Sequence, residues 1–154
     1  MSEGDQLTQV SNAEDRPLRS SNLNRQLREV VLIPEVFDSL LSYARMNHPR
    51  EGILLLRGRA KKESVLIMEV LIPPFATKGR GFSGFPLHSL PIDFSVMGVA
   101  HSHPSGILRP STGDLNWMYG RVMIIIAYPY KSLADLAAFD REGRRIDVVV
   151  SRQA

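Results

Sequence analysis

Apolar residues occur along the chain in short runs, and the length and period of each run predict its secondary structure. Seven runs are rich in Val, Ile and Leu and have the length of strands. They are Glu29–Ile33, Ile53–Leu56, Ser64–Ile72, Val96–Ala100, Val122–Ala127, Leu133–Phe139 and Arg145–Val150. The polar segment Asp140–Arg144 between the last two predicts a hairpin, and Gly58–Lys62 predicts a turn.

The segment that follows the first run has the spacing of a helix. Pro34 suits a first helical turn, and apolar residues then recur on one face from Val36 to Ala44. The dipeptide His48-Pro49 ends this helix. Strands thus outnumber helices and most connections are short. The pattern predicts an α/β fold of the α+β kind, with a mixed, largely antiparallel curved sheet flanked by helices.

The domain organisation follows from length and polarity. A chain of 154 residues suits one domain with a sizeable core. Residues 1–28 are rich in Ser, Asn, Gln and Arg and cannot bury enough apolar surface to offset the entropy of ordering. We therefore predict a flexible tail over residues 1–28 and a single domain over residues 29–154. A recruitment segment that folds on a partner is the alternative for the tail.

Composition excludes several classes of protein and site. The chain has no cysteine, which excludes disulfides and every cysteine-ligated zinc site. A net charge of +3 is mildly basic, and acidic residues balance the arginines of the tail, so we expect no nucleic-acid partner. No apolar run approaches the length of a membrane span, and the N-terminus lacks the apolar core of a signal peptide. We expect a cytoplasmic protein that does not bind membranes.

The candidate chemistry lies at the end of the fourth apolar run. His101 and His103 are two residues apart, so a strand would project both imidazoles from one face. A loop rich in Pro and Gly follows, and then Ser111 has the position of a helix N-cap, with Asp114 completing a capping box. Two imidazoles and one carboxylate suit a first-row divalent metal. Zinc is the first choice, with its fourth position left to water.

Each part of this pattern also has a simpler interpretation. A pair of histidines at a strand end is commonly just polar surface, and Ser111 with Asp114 is commonly just a helix cap. The combination in one segment favours a metal site. His48 and His88 are separate from it in sequence, and we expect neither to bind the metal.

The combination resembles the signature of the JAMM/MPN family of zinc metalloproteases, which reads His-x-His, seven residues, Ser, two residues, Asp. Seven residues lie between the second histidine and Ser111, and two lie between Ser111 and Asp114. The family also has an upstream glutamate at the start of a strand segment that ends in glycine, and Glu51 and Gly58 occupy those places. Leu54 is a departure, because many members have glycine there.

The resemblance implies the MPN sandwich, which is like that of the cytidine deaminases, and one zinc ion per chain on His101, His103 and Asp114. It implies that Glu51 is the general base that passes a proton to the leaving amine. It also implies that Ser111 hydrogen-bonds the tetrahedral oxyanion. Spacing alone leaves other carboxylates open as the base, namely Glu29, Glu35, Glu63 and Glu69.

The resemblance also implies a substrate. The expected function is a zinc metallo-isopeptidase of the deubiquitinase type, which hydrolyses the amide between the C-terminal tail of ubiquitin or a ubiquitin-like modifier and its target. A processing peptidase for a small sulfur-carrier protein of ubiquitin-like fold and a non-catalytic MPN scaffold subunit are the alternatives. A proteasome-like assembly is a further partner that the resemblance leaves open.

Two other segments bear on this expectation. In the resembled family, the insertion at the place of residues 73–91 helps to hold the substrate tail, and Phe82, Phe85 and Leu87 are candidate apolar contacts. Separately, the segment His101–Gly106, which reads His-x-His-Pro-Ser-Gly, also resembles the loop of a DNA-repair-associated branch whose members carry an N-terminal helical DNA-binding module. The polar residues 1–28 do not predict such a module.

Overall fold

The structure, a computed structural model, describes residues 26–73 and 93–152. Most of the predicted tail, and Phe82, Phe85 and Leu87 of the predicted tail-holding segment, lie outside these residues. The division at residue 28 therefore stays a prediction. Leu27, just before that division, is buried in the core.

Within the described residues, the strands pair into one closed ring. The strands are β1 (Glu29–Leu32), β2 (Ile53–Ala60), β3 (Ser64–Leu71), β4 (Val96–His103), β5 (Val122–Ala127), β6 (Leu136–Phe139) and β7 (Arg145–Val150). Their order around the ring is β1, β3, β2, β4, β5, β6, β7. Strand β1 runs parallel to β3 and β7, β4 runs parallel to β5, and the other pairings are antiparallel. The predicted mixed, largely antiparallel sheet is confirmed.

The described residues form two α-helices, α1 (Pro34–Asn47) and α2 (Thr112–Asn116), and a short 3₁₀ helix, Leu133–Asp135. Helix α1 begins at Pro34 as predicted, and the face from Val36 to Ala44 is buried. Its packing against the sheet accounts for the apolar spacing that predicted it. Neither α-helix has the length and apolar content that crossing a lipid bilayer requires.

Alternate side chains of the central strands enter two separate apolar clusters. Leu54 and Leu56 of β2 pack in the cluster that contains the buried face of α1, whereas Ile53 and Leu55 pack in the cluster on the other face. Because both faces of the central strands are buried, their sequences are continuously apolar rather than alternating. His101 and His103 continue the face of Val99, which belongs to the second cluster.

Three strand boundaries differ from the predictions by more than one residue. The turn predicted at Gly58–Lys62 begins later, after Ala60, because β2 continues to Ala60 through a bulge between Arg57 and Gly58. A Cβ atom on Gly58 would lie 1.8 Å from the carbonyl oxygen of Leu66, so only glycine allows this close pairing. Leu133–Asp135 is a 3₁₀ helix rather than strand. Strand β4 extends through His103, so both histidines lie within the sheet.

Candidate metal centre

The end of strand β4 places the two histidines in the interior of the sheet. His101 is opposite Ile53 of β2 and Ile125 of β5, and His103 is opposite Ala127. Their residues are only 5% and 7% exposed. Since buried polar side chains are costly unless their polar atoms find partners, this placement is unusual for two histidines of purely structural function.

The residue between the histidines connects β4 to the segment that carries Glu51. Ser102 faces away from the imidazoles, and its Oγ accepts a hydrogen bond of 2.8 Å from the backbone N–H of Gly52. The backbone N–H of Ser102 donates in return to the carbonyl oxygen of Gly52 at 3.0 Å. Two hydrogen bonds therefore hold the backbone next to Glu51 against the histidine strand. Sequence reasoning missed this positioning function of Ser102.

The loop after β4 sets the orientation of His103. The backbone N–H groups of Gly106 and Tyr128 both donate to the carbonyl oxygen of His103, each at 3.1 Å. Nδ1 of His103 is 2.9 Å from the carbonyl oxygen of Ile107, which accepts only, so Nδ1 carries the proton and donates it. Nε2 then faces Oδ2 of Asp114 at 3.3 Å. This is how metal-binding histidines are typically oriented by a carbonyl group.

The predicted capping box at the start of α2 is confirmed and carries Asp114 into the site. The backbone N–H and the Oγ of Ser111 both donate to Oδ2 of Asp114 at 2.7 Å. The backbone N–H of Asp114 donates to Oγ of Ser111 at 3.1 Å. The carboxylate is buried and therefore held in one orientation by its own helix cap. The hydroxyl proton of Ser111 is engaged with Asp114 in this arrangement.

His101 lies on the other side of Asp114 and is incompletely satisfied. Its Nδ1 is 3.6 Å from Oδ1 of Asp114, and its Nε2 is buried without a hydrogen-bond partner among the described residues. Burial lowers the pKa of His101 to about 4, although the charge of Asp114 opposes this change. His101 is therefore neutral at pH 7 and offers a lone pair.

Asp114 and His103 stabilise each other's charged forms. Burial alone would raise the pKa of Asp114, but its hydrogen bonds with His103 and Ser111 and the nearby His101 outweigh burial and lower it. Burial alone would lower the pKa of His103, but its bonds to Asp114 and Ile107 and the charge of Glu51 outweigh burial and raise it. An ionised carboxylate thus lies between the two imidazoles.

Glu51 lines the same cavity of about 410 Å³ as His103, Ser111 and Asp114. Burial raises the pKa of the Glu51 carboxyl group, His103 lowers it and Asp114 raises it, with a net increase. The other carboxylates that spacing left open lie elsewhere. Glu35, Glu63 and Glu69 form ion pairs with Arg152, Arg28 and Arg57, and Glu29 lines a different cavity.

Within residues 26–73 and 93–152, no group of three or more His, Asp or Glu side chains is arranged as a complete metal site. The predicted ligands His101, His103 and Asp114 are adjacent in space but do not already enclose one common point. His48 lies apart from them, with Nδ1 3.2 Å from the Tyr130 hydroxyl and its ring stacked on Tyr128.

The aromatic group of His48, Tyr128 and Tyr130 was missed by sequence reasoning. Tyr130 is fully buried, and Arg45 donates a hydrogen bond of 2.5 Å to its carbonyl oxygen. Burial and the charges of Tyr128 and Glu51 raise the pKa of Tyr130. The three rings contact one another, but no local spacing in the sequence indicates that they meet.

Known proteins share both this fold and this sequence pattern. Residues 34–142 match the family described as prokaryotic homologs of the JAB domain. A protein of Haloferax volcanii named a probable metalloprotease is 38% identical over 133 residues, which cover 79% of this chain and 81% of that protein.

Solved structures give the same result. A structure described as JAMM, a metalloprotease-like zinc site in the proteasome and signalosome, has a TM-score of 0.57 and 26% identity, covering 82% of this chain and all of that chain. A JAB1/MPN domain protein from Archaeoglobus fulgidus has a TM-score of 0.55 and 25% identity. The match covers 83% of this chain and all of that chain. The domain is thus of the JAB/MPN class. The chain belongs to the JAMM/MPN family, among its prokaryotic JAB homologs.

Proposed function

We propose that this protein is a zinc metallo-isopeptidase that hydrolyses the amide between the C-terminal tail of a ubiquitin-like modifier and its target. One observation carries the proposal: His101 and His103 of β4, Asp114 of α2 and Glu51 before β2 are brought to one site from three parts of the chain. Membership of the JAMM/MPN family supports this interpretation of the site.

The donor set fits one zinc ion per chain, held by His101, His103 and Asp114. The imidazole nitrogens that face Asp114, together with its carboxylate, would serve as the ligands. The nitrogen–oxygen distances from the two imidazoles to Asp114 are 3.6 and 3.3 Å. The other ring nitrogen of His101, Nε2, is buried and has no hydrogen-bond partner among the described residues. The protein similar in fold that is described as a metalloprotease-like zinc site supports zinc.

Zinc, when bound at such a site, supplies an acidified water and polarises the scissile carbonyl group. The chain's own residues supply the rest. Glu51, whose pKa is raised by burial, is suited to accept a proton and to deliver it to the leaving amine. Ser111 is proposed to donate a hydrogen bond to the oxyanion, for which its hydroxyl must rotate away from Asp114.

The choice of substrate rests on the family. A relative described in terms of the proteasome and signalosome supports a ubiquitin-like substrate, and a proteasome-like assembly stays a proposed partner. A processing peptidase for a ubiquitin-like sulfur carrier uses the same chemistry on a linear tail. A scaffold subunit would not need an intact ligand set, so the presence of all three ligands favours an enzyme.

The test is release of a reporter fused to the tail of a ubiquitin-like protein, with and without a zinc chelator, together with the zinc content of the purified protein. We expect release that the chelator abolishes and that added zinc restores. Release that persists without zinc would contradict the metal mechanism. A protein that holds no zinc and releases nothing would be a scaffold.

A further inference from the structure

Arg109 lies in the wall of the cavity that holds Glu51, His103, Ser111 and Asp114. It is the one Arg or Lys among the described residues that line this cavity. Its side chain is exposed, and it forms no hydrogen bond or ion pair with the described part of the chain. A permanent cation therefore lines the cavity without a hydrogen-bond or ion-pair partner among residues 26–73 and 93–152.

The neighbouring carboxylates do not use this cation. No carboxylate oxygen of Glu51 or Asp114 in the described residues forms a salt bridge with Arg109. Asp114 is instead satisfied by Ser111 and the two imidazoles. Elsewhere in the described residues some arginines pair with carboxylates, as Arg57 and Arg144 do, and others, such as Arg145, form no salt bridge.

The backbone that displays Arg109 is anchored on both sides. The carbonyl oxygen of Ile107 accepts the hydrogen bond from His103, and the backbone N–H of Ser111 donates to Asp114. Leu108 packs against the second apolar cluster, and Pro110 restricts the backbone between Arg109 and Ser111. The guanidinium thus extends from a fixed point two residues before the capping serine.

We infer that Arg109 is a specificity-determining residue that binds a substrate carboxylate close to the scissile amide. A planar guanidinium recognises a carboxylate through two parallel hydrogen bonds, which gives orientation as well as charge. The anionic groups that a peptide can carry next to an amide bond are carboxylates, either the C-terminal one or that of an acidic side chain. This inference rests on the proposed function and narrows its substrates to amides flanked by an acidic group.

Two sources could present this carboxylate. One is the terminal carboxylate of a one-residue extension on the tail of the modifier. The other is an acidic side chain beside the modified lysine of a target, because the lysine ε-amine itself carries no carboxylate. Both place a negative charge next to the leaving amine, and they can be separated with synthetic leaving groups.

The experiment uses three substrates that share one ubiquitin-like tail. The first ends in an added alanine with a free carboxylate, the second ends in alanine amide, and the third continues with an aspartate and ends in an amide. The ratio of kcat/KM between the first and second substrates measures recognition of a terminal carboxylate. The ratio between the third substrate and its asparagine counterpart measures recognition of an acidic side chain.

We expect the zinc-loaded protein to prefer the acidic member of at least one pair by about tenfold, as one charge-assisted contact permits. Arg109→Gln should bring that ratio close to one, and Arg109→Lys should leave an intermediate ratio. High salt should reduce the preference, because the contact is exposed. Arg145→Gln, an equal change of charge on exposed β7 outside this cavity, should keep the ratio.

If the ratio of kcat/KM between the acidic and the neutral substrate is the same in Arg109→Gln and in the unaltered protein, the inference is overturned. If no substrate is cleaved, the proposed function fails, and the role of Arg109 is then decided by binding alone. For that arm, the Kd values of the acidic and neutral tail peptides are measured on the Glu51→Gln protein, with and without Arg109→Gln. Equal Kd values for the two peptides would overturn the inference independently of turnover.

Discussion

The chain contains two capping boxes built from the same residue types at the same spacing, Ser111 with Asp114 and Ser132 with Asp135. In both, the aspartate accepts from the backbone N–H of its serine, at 2.7 and 3.1 Å. The surroundings differ. Asp114 is buried against His101 and His103, whereas Ser132 is exposed and Asp135 receives only further backbone N–H groups.

The comparison separates what a local motif does from what its location adds. A Ser-x-x-Asp sequence favours the start of a helix, because the side chains satisfy backbone N–H groups that the helix leaves unpaired. The same motif becomes a candidate metal ligand only where the sheet brings imidazoles to it. Four sets of variants follow, in order of decreasing expected effect. Two of them compare the capping boxes directly, and two test a carboxylate outside them.

The largest difference is expected between Asp114→Asn and Asp135→Asn. Asp114→Asn removes the proposed anionic ligand, so the protein should lose its zinc and at least about 10³-fold in kcat/KM. His103→Ala should have the same effect. Zinc per chain, measured by elemental analysis after dialysis, and reporter release are the readouts. Asp135→Asn is the matched control and should keep both values.

Retention of a full zinc complement by both Asp114→Asn and His103→Ala would contradict the ligand assignment. A cooperative thermal transition in each variant is needed alongside, so that loss of zinc is not merely loss of fold.

Glu51→Gln should separate metal binding from turnover. Gln has the shape of Glu but cannot accept and return a proton, so zinc should stay bound while kcat falls by about 10²- to 10⁴-fold. Glu69→Gln changes a carboxylate that pairs with Arg57 on the surface and is the matched control. Activity that survives in Glu51→Gln would move the base to another group.

Ser111→Ala and Ser132→Ala test the two hydroxyl groups directly. Each should lower stability by about 1 kcal/mol through the lost cap. Only Ser111→Ala should also lower kcat, by about 10²-fold or more, as loss of an oxyanion donor does. Thermal unfolding gives the first effect and reporter release the second. Equal kcat in the two variants would leave Ser111 with a capping function alone.

Asp140 is, with Asp114, one of two buried carboxylates among the described residues, and its substitution should give the smallest effect and a dependence on pH. Burial opposes ionisation of Asp140, but hydrogen bonds from the backbone and guanidinium of Arg144 and from the backbone of Glu142 outweigh burial and lower its pKa. Its stabilisation is therefore present above the unfolded pKa of about 3.9 and is lost as pH falls through the folded value.

Asp140→Asn should accordingly reduce the free energy of unfolding by about 1–2 kcal/mol at pH 7 and by less below pH of about 4. Urea unfolding at several pH values measures the difference from the unaltered protein. Because its hydrogen bonds stay within its own hairpin, this variant should keep zinc. A difference that grows as the pH falls would contradict the sign of the pKa shift.

Much of the fold was predictable because its signals are local. The apolar runs gave the strands to within a few residues, and Pro34 with the spacing up to Ala44 gave helix α1. The errors occurred where a long-range contact overrides a local preference. Gly58 favours a turn by its conformational freedom, but pairing with Ile67 next to a bulge keeps it in β2, close to the carbonyl oxygen of Leu66.

The sequence by itself determined two local arrangements. His101 and His103 share a face of their strand, and Ser111 caps helix α2 in a capping box with Asp114. Spacing alone left several glutamates open, and only the tertiary structure brings Glu51 into the same cavity as His103 and Asp114. Gly52 and Ser102 are 50 residues apart in sequence, and their hydrogen bonds keep Glu51 at the histidine strand while the other candidate carboxylates lie elsewhere. The position of Glu51 depends on packing between segments that are distant in sequence, and the local spacing of apolar and polar residues carries no information about such packing.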